Sequence, residues 1–233
     1  MISLRRARVT GVVREREGMQ LLQVELDGTA RQAVCYPDMT GPCVAGDSVL
    51  LNTTAMELGL GTGGKHFVVA NLSRPERQSV RPGHIMKLRY SPLQLRVECG
   101  GEAEGLRSVL SAGASLGNTV VLVLPLHGLL PAAAVAFAES AGGAPLVYLM
   151  TDSAALPLAL SDLVATLREQ GLLTAAVTSG HAFGGDAEAV GLYDGLLRAA
   201  HLAGRGAVVV APGPGIVGTA RPSVRRLWSR ARS

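Results

Sequence analysis

Four side chains stand where acid–base chemistry or ligand orientation is most readily built: His181, Asp152, Asp186 and His127. His181 lies in SGHAFGGD (179–186), and an imidazole there can give or take a proton near neutral pH. Ser179 and Gly180 open this loop, Gly184 and Gly185 permit close approach to the backbone, and Asp186 is expected to cap a following helix. Asp152 and Ser153 precede a predicted helix with Pro157 in its first turn, and His127 precedes another with Pro131 near its start. Each has a plain structural counterpart, the acids as helix caps and the histidines as locally hydrogen-bonded groups. Gly213 and Gly215, in APGPGIVG, follow a further apolar run and would face a ligand with bare backbone.

These residues share one kind of position. Apolar runs at Thr119–Pro125, Pro145–Thr151, Thr174–Ser179 and Ala207–Ala211 alternate with predicted helices near Leu129–Ala141, Leu156–Gln170 and Asp186–Ala203. Strands that are apolar throughout, separated by helices, predict a mostly parallel sheet with helices on both faces, a Rossmann-like α/β layer. Ligands of such sheets collect at the carboxyl ends of the strands, where helix N-termini favour negative charge. All four groups fall at such ends. The expectation is a small anionic metabolite or nucleotide bound there, with hydrolysis or group transfer as the reaction His181 would serve; no cofactor is specified.

Residues 1–72 read differently. Short apolar stretches broken by turns, among them Met19–Leu26 closed by Asp27-Gly28, predict a small β-barrel-like domain. Within it, Gly61, Gly63 and Lys65 sit in GLGTGGK, which suits an anion-binding loop, although a strand follows where a dinucleotide fingerprint needs a helix. Residues 73–82, with two prolines and several charges, form a linker; 83–219 form the α/β domain and 220–233 a basic, disordered tail. Lys87, just past the linker, is one of only two lysines among 22 basic residues, so a compact ammonium there suggests a ligand contact. Two further patterns are set aside. GASLG (113–117) matches a nucleophile elbow, but the order of strand and helix around it is reversed, and no histidine pair has metal-ligand spacing.

Composition narrows the setting. With 48% apolar and 17% charged residues the chain has ample core material. Three cysteines without CxxC spacing suggest reduced thiols and a cytoplasmic protein. The uncharged stretch Thr119–Ala138 is of bilayer length, but Pro125, Gly128 and Pro131 divide it into strand, turn and helix, so no membrane partner is expected. Of the 22 Lys and Arg, five arginines lie in 221–233, and the remaining 17 face 18 acids. Nucleic acid would therefore be held only non-specifically, through the tail. Homo-oligomerisation stays open.

Several segments together, LNTTAMELGLGTGGKHFVVAN, GHIMKLRYSPLQ, YLMTDSAALPLA, SGHAFGGDAEAVGLYDGLL and APGPGIVGT, resemble the bacterial domain of unknown function family 3866. The resemblance spans most of residues 1–219 and implies no activity, cofactor or catalytic residue. It does imply more α/β sequence after about Thr219, so the Arg-, Ser- and Pro-rich end reads as a truncation or a shifted reading frame. A second function remains beside ligand binding: a non-catalytic regulatory or assembly module whose barrel holds a protein or nucleic-acid partner.

Deleting residues 221–233 should abolish salt-sensitive adherence to DNA, because the rest of the chain carries no net positive charge. A retained steep dependence of DNA affinity on salt in the shortened chain would reveal a basic face elsewhere.

Overall fold

The computed structural model describes residues 1–60, 63–77, 82–99 and 114–215. Gly61, the first residue of GASLG and the basic tail lie outside them. Five strands close a barrel: β1 (Leu4–Arg16), β2 (Met19–Leu26), β3 (Thr29–Cys35), β4 (Ser48–Asn52) and β5 (Lys65–Asn71), in the order β1-β2-β3-β5-β4. The turn between β2 and β3 is the expected one, with Asp27 and Gly28 both at positive φ, as a two-residue hairpin requires. Val9, Leu22, Val24, Val49 and Leu51 fill the interior. Two single-turn helices, α1 (Pro37–Thr40) and α2 (Thr54–Glu57), lie between strands.

A short antiparallel hairpin, β6 (Ile85–Lys87) with β7 (Leu95–Val97), leads to the second layer. That layer contains β8 (Val120–Val123), β9 (Leu146–Thr151), β10 (Ala175–Thr178), β11 (Ala187–Glu188) and β12 (Ala207–Pro212). They form one sheet in the order β11-β10-β9-β12-β8, and every pairing is parallel. The helices are α3 (Leu130–Ser140), α4 (Asp162–Glu169) and α5 (Leu192–Ala203). Alternate residues of a strand face opposite sides of the sheet. Tyr148 and Met150 of β9, with Val209 of β12, pack with Leu130 of α3 and Val164 and Leu167 of α4. Val147 and Leu149, with Val208 and Val210, pack with Ala199 and Ala203 of α5. Both faces are covered, which is why these strands are apolar throughout. The edge strand β8 is the exception, with Val120 67% and Val123 71% exposed.

Two helix starts differ from expectation. The helix predicted from Leu156 begins at Asp162, because Ser161 accepts the Val164 N–H as its cap and 158–160 form a single 3-10 turn. The helix predicted from Asp186 begins at Leu192, where the Asp194 carboxylate accepts the Val190 and Gly191 N–H groups. Residues 187–188 become β11 instead. No helix among the described residues is long and apolar enough to cross a membrane.

Candidate functional site

The strand-end loops do meet, but largely by bonding one another. Asp152 accepts the His181 backbone N–H at 2.9 Å. Gly180, at φ +65°, lies so close that a Cβ there would sit 2.1 Å from the Asp152 carboxylate, so glycine is required at this point. The His181 Nδ1 accepts the Leu88 N–H at 3.0 Å, which leaves its ring proton on Nε2. Ser179 reaches back to the Met150 carbonyl, and the Ser153 hydroxyl pairs with Thr151. Gly213 is where the chain passes the Ala155 carbonyl, which a Cβ would approach to 2.2 Å; Gly215 meets no such neighbour. Asp186 caps no helix. Its carboxylate accepts the Ala176 N–H at 2.7 Å and pairs with Arg168.

His127 is buried in a closed network. Its Nδ1 lies 3.2 Å from both the Pro212 carbonyl and the Tyr148 hydroxyl, and its Nε2 lies 2.7 Å from Ser161 Oγ. The carbonyl can only accept, so Nδ1 carries the proton and Nε2 accepts from Ser161. Burial holds this imidazole below its ordinary pKa. A serine bonded to a histidine has the make-up of a nucleophile–base pair, but Ser161 is 3% exposed and its oxygen also caps α4.

Lys87 is locked. It is 1% exposed, and its ammonium donates to the Thr178 carbonyl at 2.9 Å, the Ala182 carbonyl at 2.5 Å and the Glu188 carboxylate at 2.5 Å. Three donors meet three acceptors. Glu188 in turn accepts the Thr178 hydroxyl at 2.6 Å and the Gly184 N–H at 2.7 Å. The chain around Lys87 bends sharply, with Leu88 and Tyr90 at φ 52° and 57°, a left-handed conformation that side chains disfavour. Lys65 and Gly63 stay in the barrel, where Lys65 opens β5 opposite Gln32. Among the described residues no group of three or more His, Cys, Asp or Glu is arranged to hold a metal ion.

Open space lies instead along the flank of α4, between the barrel and the sheet layer. There a cleft of about 510 Å³ is walled by Arg16, Tyr36 and Asp38 on the barrel side and by Leu158, Arg168 and Phe183 on the other. Gly184, Gly185 and Asp186 line it too, because the chain after Phe183 doubles back until Asp186 reaches the level of Ala176. A Cβ on Gly185 would sit 2.7 Å from the Ala176 carbonyl, so only glycine allows this return. Tyr36 stacks on Phe67 and meets Phe183 edge-on. It is 7% exposed, and its hydroxyl has no hydrogen-bond partner among the described residues; the same holds for Nε of Arg16 and of Arg168. Tyr36, Arg16, Arg168, Phe183, Ser161 and Glu188 were not singled out from the sequence. Only the Asp-Gly turn ahead of β3 hinted where Tyr36 would emerge.

Residues 32–222 match the model of a family described as Protein of unknown function (DUF3866). The chain belongs to this family. The match takes in the second half of β3, the Tyr36 wall, the Lys87 lock and the whole parallel sheet, so every part of the DUF3866 cleft except Arg16, Glu17 and Gly18 falls within it. No curated protein and no solved structure matches the chain.

Two outcomes follow from these networks. Lys87→Met would strand the Glu188 carboxylate in the interior and should cost about 3–5 kcal/mol in urea unfolding; a loss below about 1 kcal/mol would mean that water reaches the pair. For His127 the folded protein binds its proton less readily than the unfolded chain does, as it also does at His66, another histidine that burial holds low. Stability should therefore fall as pH drops below about 6.5, where the unfolded chain takes up protons first, and should go on falling until the folded-state value is reached. Urea midpoints between about pH 7.5 and 5.5 test this, and His127→Gln should flatten the decline.

Proposed function

We propose that this protein binds a small, hydroxyl-bearing metabolite of nucleoside or sugar size in the cleft between barrel and sheet. The observation that carries the reading is the Tyr36 hydroxyl, which faces burial without a partner in the wall of the cleft. Such a group costs about 1–3 kcal/mol when unsatisfied, and because solvent does not touch the oxygen in the empty cleft, a ligand oxygen would relieve it through a small shift of the Tyr36 wall. The volume suits a small ligand, and junctions between domains commonly house such sites. Gly184 and Gly185 offer backbone without side-chain obstruction.

Charge argues for a neutral or weakly cationic occupant over the anionic one expected at helix N-termini. Arg16 already binds Asp162 and the Ala159 carbonyl, and Arg168 binds Asp186. Glu17, Asp38, Glu169 and Asp186 outnumber these two cations in the lining. The loop carrying His181 leads into β11, so it has no helix N-terminus to offer a phosphate. Ser161 with His127 reaches the cleft wall, but its oxygen is committed to α4, which favours binding over covalent chemistry.

A thermal-shift panel of adenosine, guanosine and ribose set against AMP, ATP and inorganic phosphate tests the reading. A ligand present at about 100 times its Kd stabilises by about 2.7 kcal/mol. Tyr36→Phe should raise the stability of the unliganded protein by about 1 kcal/mol and weaken the bound compound by up to about tenfold. A less stable Tyr36→Phe protein, or stabilisation by the phosphates alone, would overturn it.

A further inference from the structure

All three cysteines are free thiols, and two of them are neighbours. Cys35 at the end of β3 and Cys43 after α1 place their sulfur atoms 3.8 Å apart, both fully buried. Bonded sulfurs sit ~2.05 Å apart, so closure requires an approach of roughly 1.8 Å. The chain between them is short and includes Gly41, at φ +81°, and Pro42. That chain is also a wall of the cleft, because Tyr36, Pro37 and Asp38 all lie in it.

The surroundings favour attack by Cys35. The neighbouring Cys43 sulfur, the Thr40 hydroxyl at 3.2 Å and the charge of Arg77 hold Cys35 below the ordinary thiol pKa against burial, while its S–H is within 3.3 Å of the Gly41 carbonyl, the acceptor that takes the proton in the resting thiol. The Arg77 guanidinium lies over Gly41, where an added Cβ would come within 3.1 Å of it. Cys43 is raised, by its contact with Cys35 and by burial. Cys99 has no such neighbour; burial lifts its thiol to about 11. Cys35 is thus the nucleophile of the pair with a second sulfur beside it to resolve the product, and because both are fully buried a peroxide reaches them when the 36–42 segment opens.

We propose that Cys35 and Cys43 form a reversible dithiol–disulfide couple whose oxidation by a peroxide reshapes the Tyr36 wall of the cleft. The Cys35 thiolate attacks one peroxide oxygen and the O–O bond breaks, giving a sulfenic acid at Cys35 and, after protonation, one water. The Cys43 sulfur then attacks the Cys35 sulfur, loses its proton and releases the sulfenic oxygen as a second water. Two thiols are oxidised and one peroxide is reduced. The chemistry stands on the thiol geometry alone, whereas its effect on ligand binding rests on the cleft reading above.

The experiment titrates the full chain with hydrogen peroxide, alkylates the remaining thiols after denaturation, maps the peptides, and follows hydrogen exchange over residues 36–42. The expected result is a Cys35–Cys43 cross-linked peptide with Cys99 still alkylated, reversal by dithiothreitol, and protection over 36–42 changed by about tenfold. Cys99→Ser should behave as the parent, and Cys35→Ser should give no cross-link. Should Cys35→Ser fail to fold, the mapping and reversal in the parent chain still decide. Alkylation of both Cys35 and Cys43 after peroxide, irreversible oxidation of Cys35 alone, or a cross-link that leaves exchange over 36–42 unchanged would overturn the proposal. The outcome does not depend on any ligand, so a failed compound panel bears only on the cleft reading.

Discussion

The ammonium of Lys87 is enclosed by protein on every side, and a buried charge of this kind is tolerated only when paired and fully hydrogen-bonded. Its partner, Glu188, sits on the two-residue edge strand β11. For Glu188 to arrive there, the loop after β10 must turn back along its own strand, and that return carries Phe183, Gly184 and Gly185 toward the barrel. The same carboxylate holds the Gly184 N–H, so the pair fixes the course of the loop as well as its end. The left-handed residues Leu88 and Tyr90 are the strain accepted to aim the hairpin at this point. One wall of the cleft is therefore a consequence of where a single positive charge is put to rest.

The opposite wall is held by packing more than by charge. Arg14 and Arg16, near the far end of β1, both reach Asp162 at the start of α4, but Asp162 is more than half exposed and such pairs contribute little on their own. The tighter contacts are apolar. Met19, Leu21, Val34 and Tyr36 cluster with Ala159 and Leu160, and Gly18 passes Ala159 where an added Cβ would lie 3.1 Å away. The barrel thus docks through the underside of β2 and β3, and the cleft is the part of that junction which packing leaves unfilled.

Much of the architecture was legible in the sequence because it depends on local rules. Short apolar stretches broken by turns in the first domain, the Asp27-Gly28 turn and apolar strands between helices each point to one arrangement. The helix starts were missed because the true caps, Ser161 and Asp194, lie several residues beyond equally plausible ones at Asp152 and Asp186. The positions of His181 and Asp152 were legible, and they do adjoin, but each is engaged by backbone. Lys87 stood out as a lysine among arginines, but the ligand contact expected of it gives way to a buried ion pair, because its partner lies 101 residues away and no spacing could have named it. The cleft was hidden for the same reason: Tyr36 and Phe183 come from different layers, and only the completed fold brings them together.

The strand order carries a consequence for how the chain is made. β12, the last described strand in sequence, lies between β9 and β8, and among the described residues it is the only strand that β8 pairs with in the sheet. On a ribosome adding about 5–20 residues per second, β8 is synthesised roughly 5–18 s before β12. Throughout that interval its run of Val and Leu has no partner strand, while β9 and β10 can already associate. The nascent chain thus carries an apolar segment that stays without its sheet partner until β12 has been made.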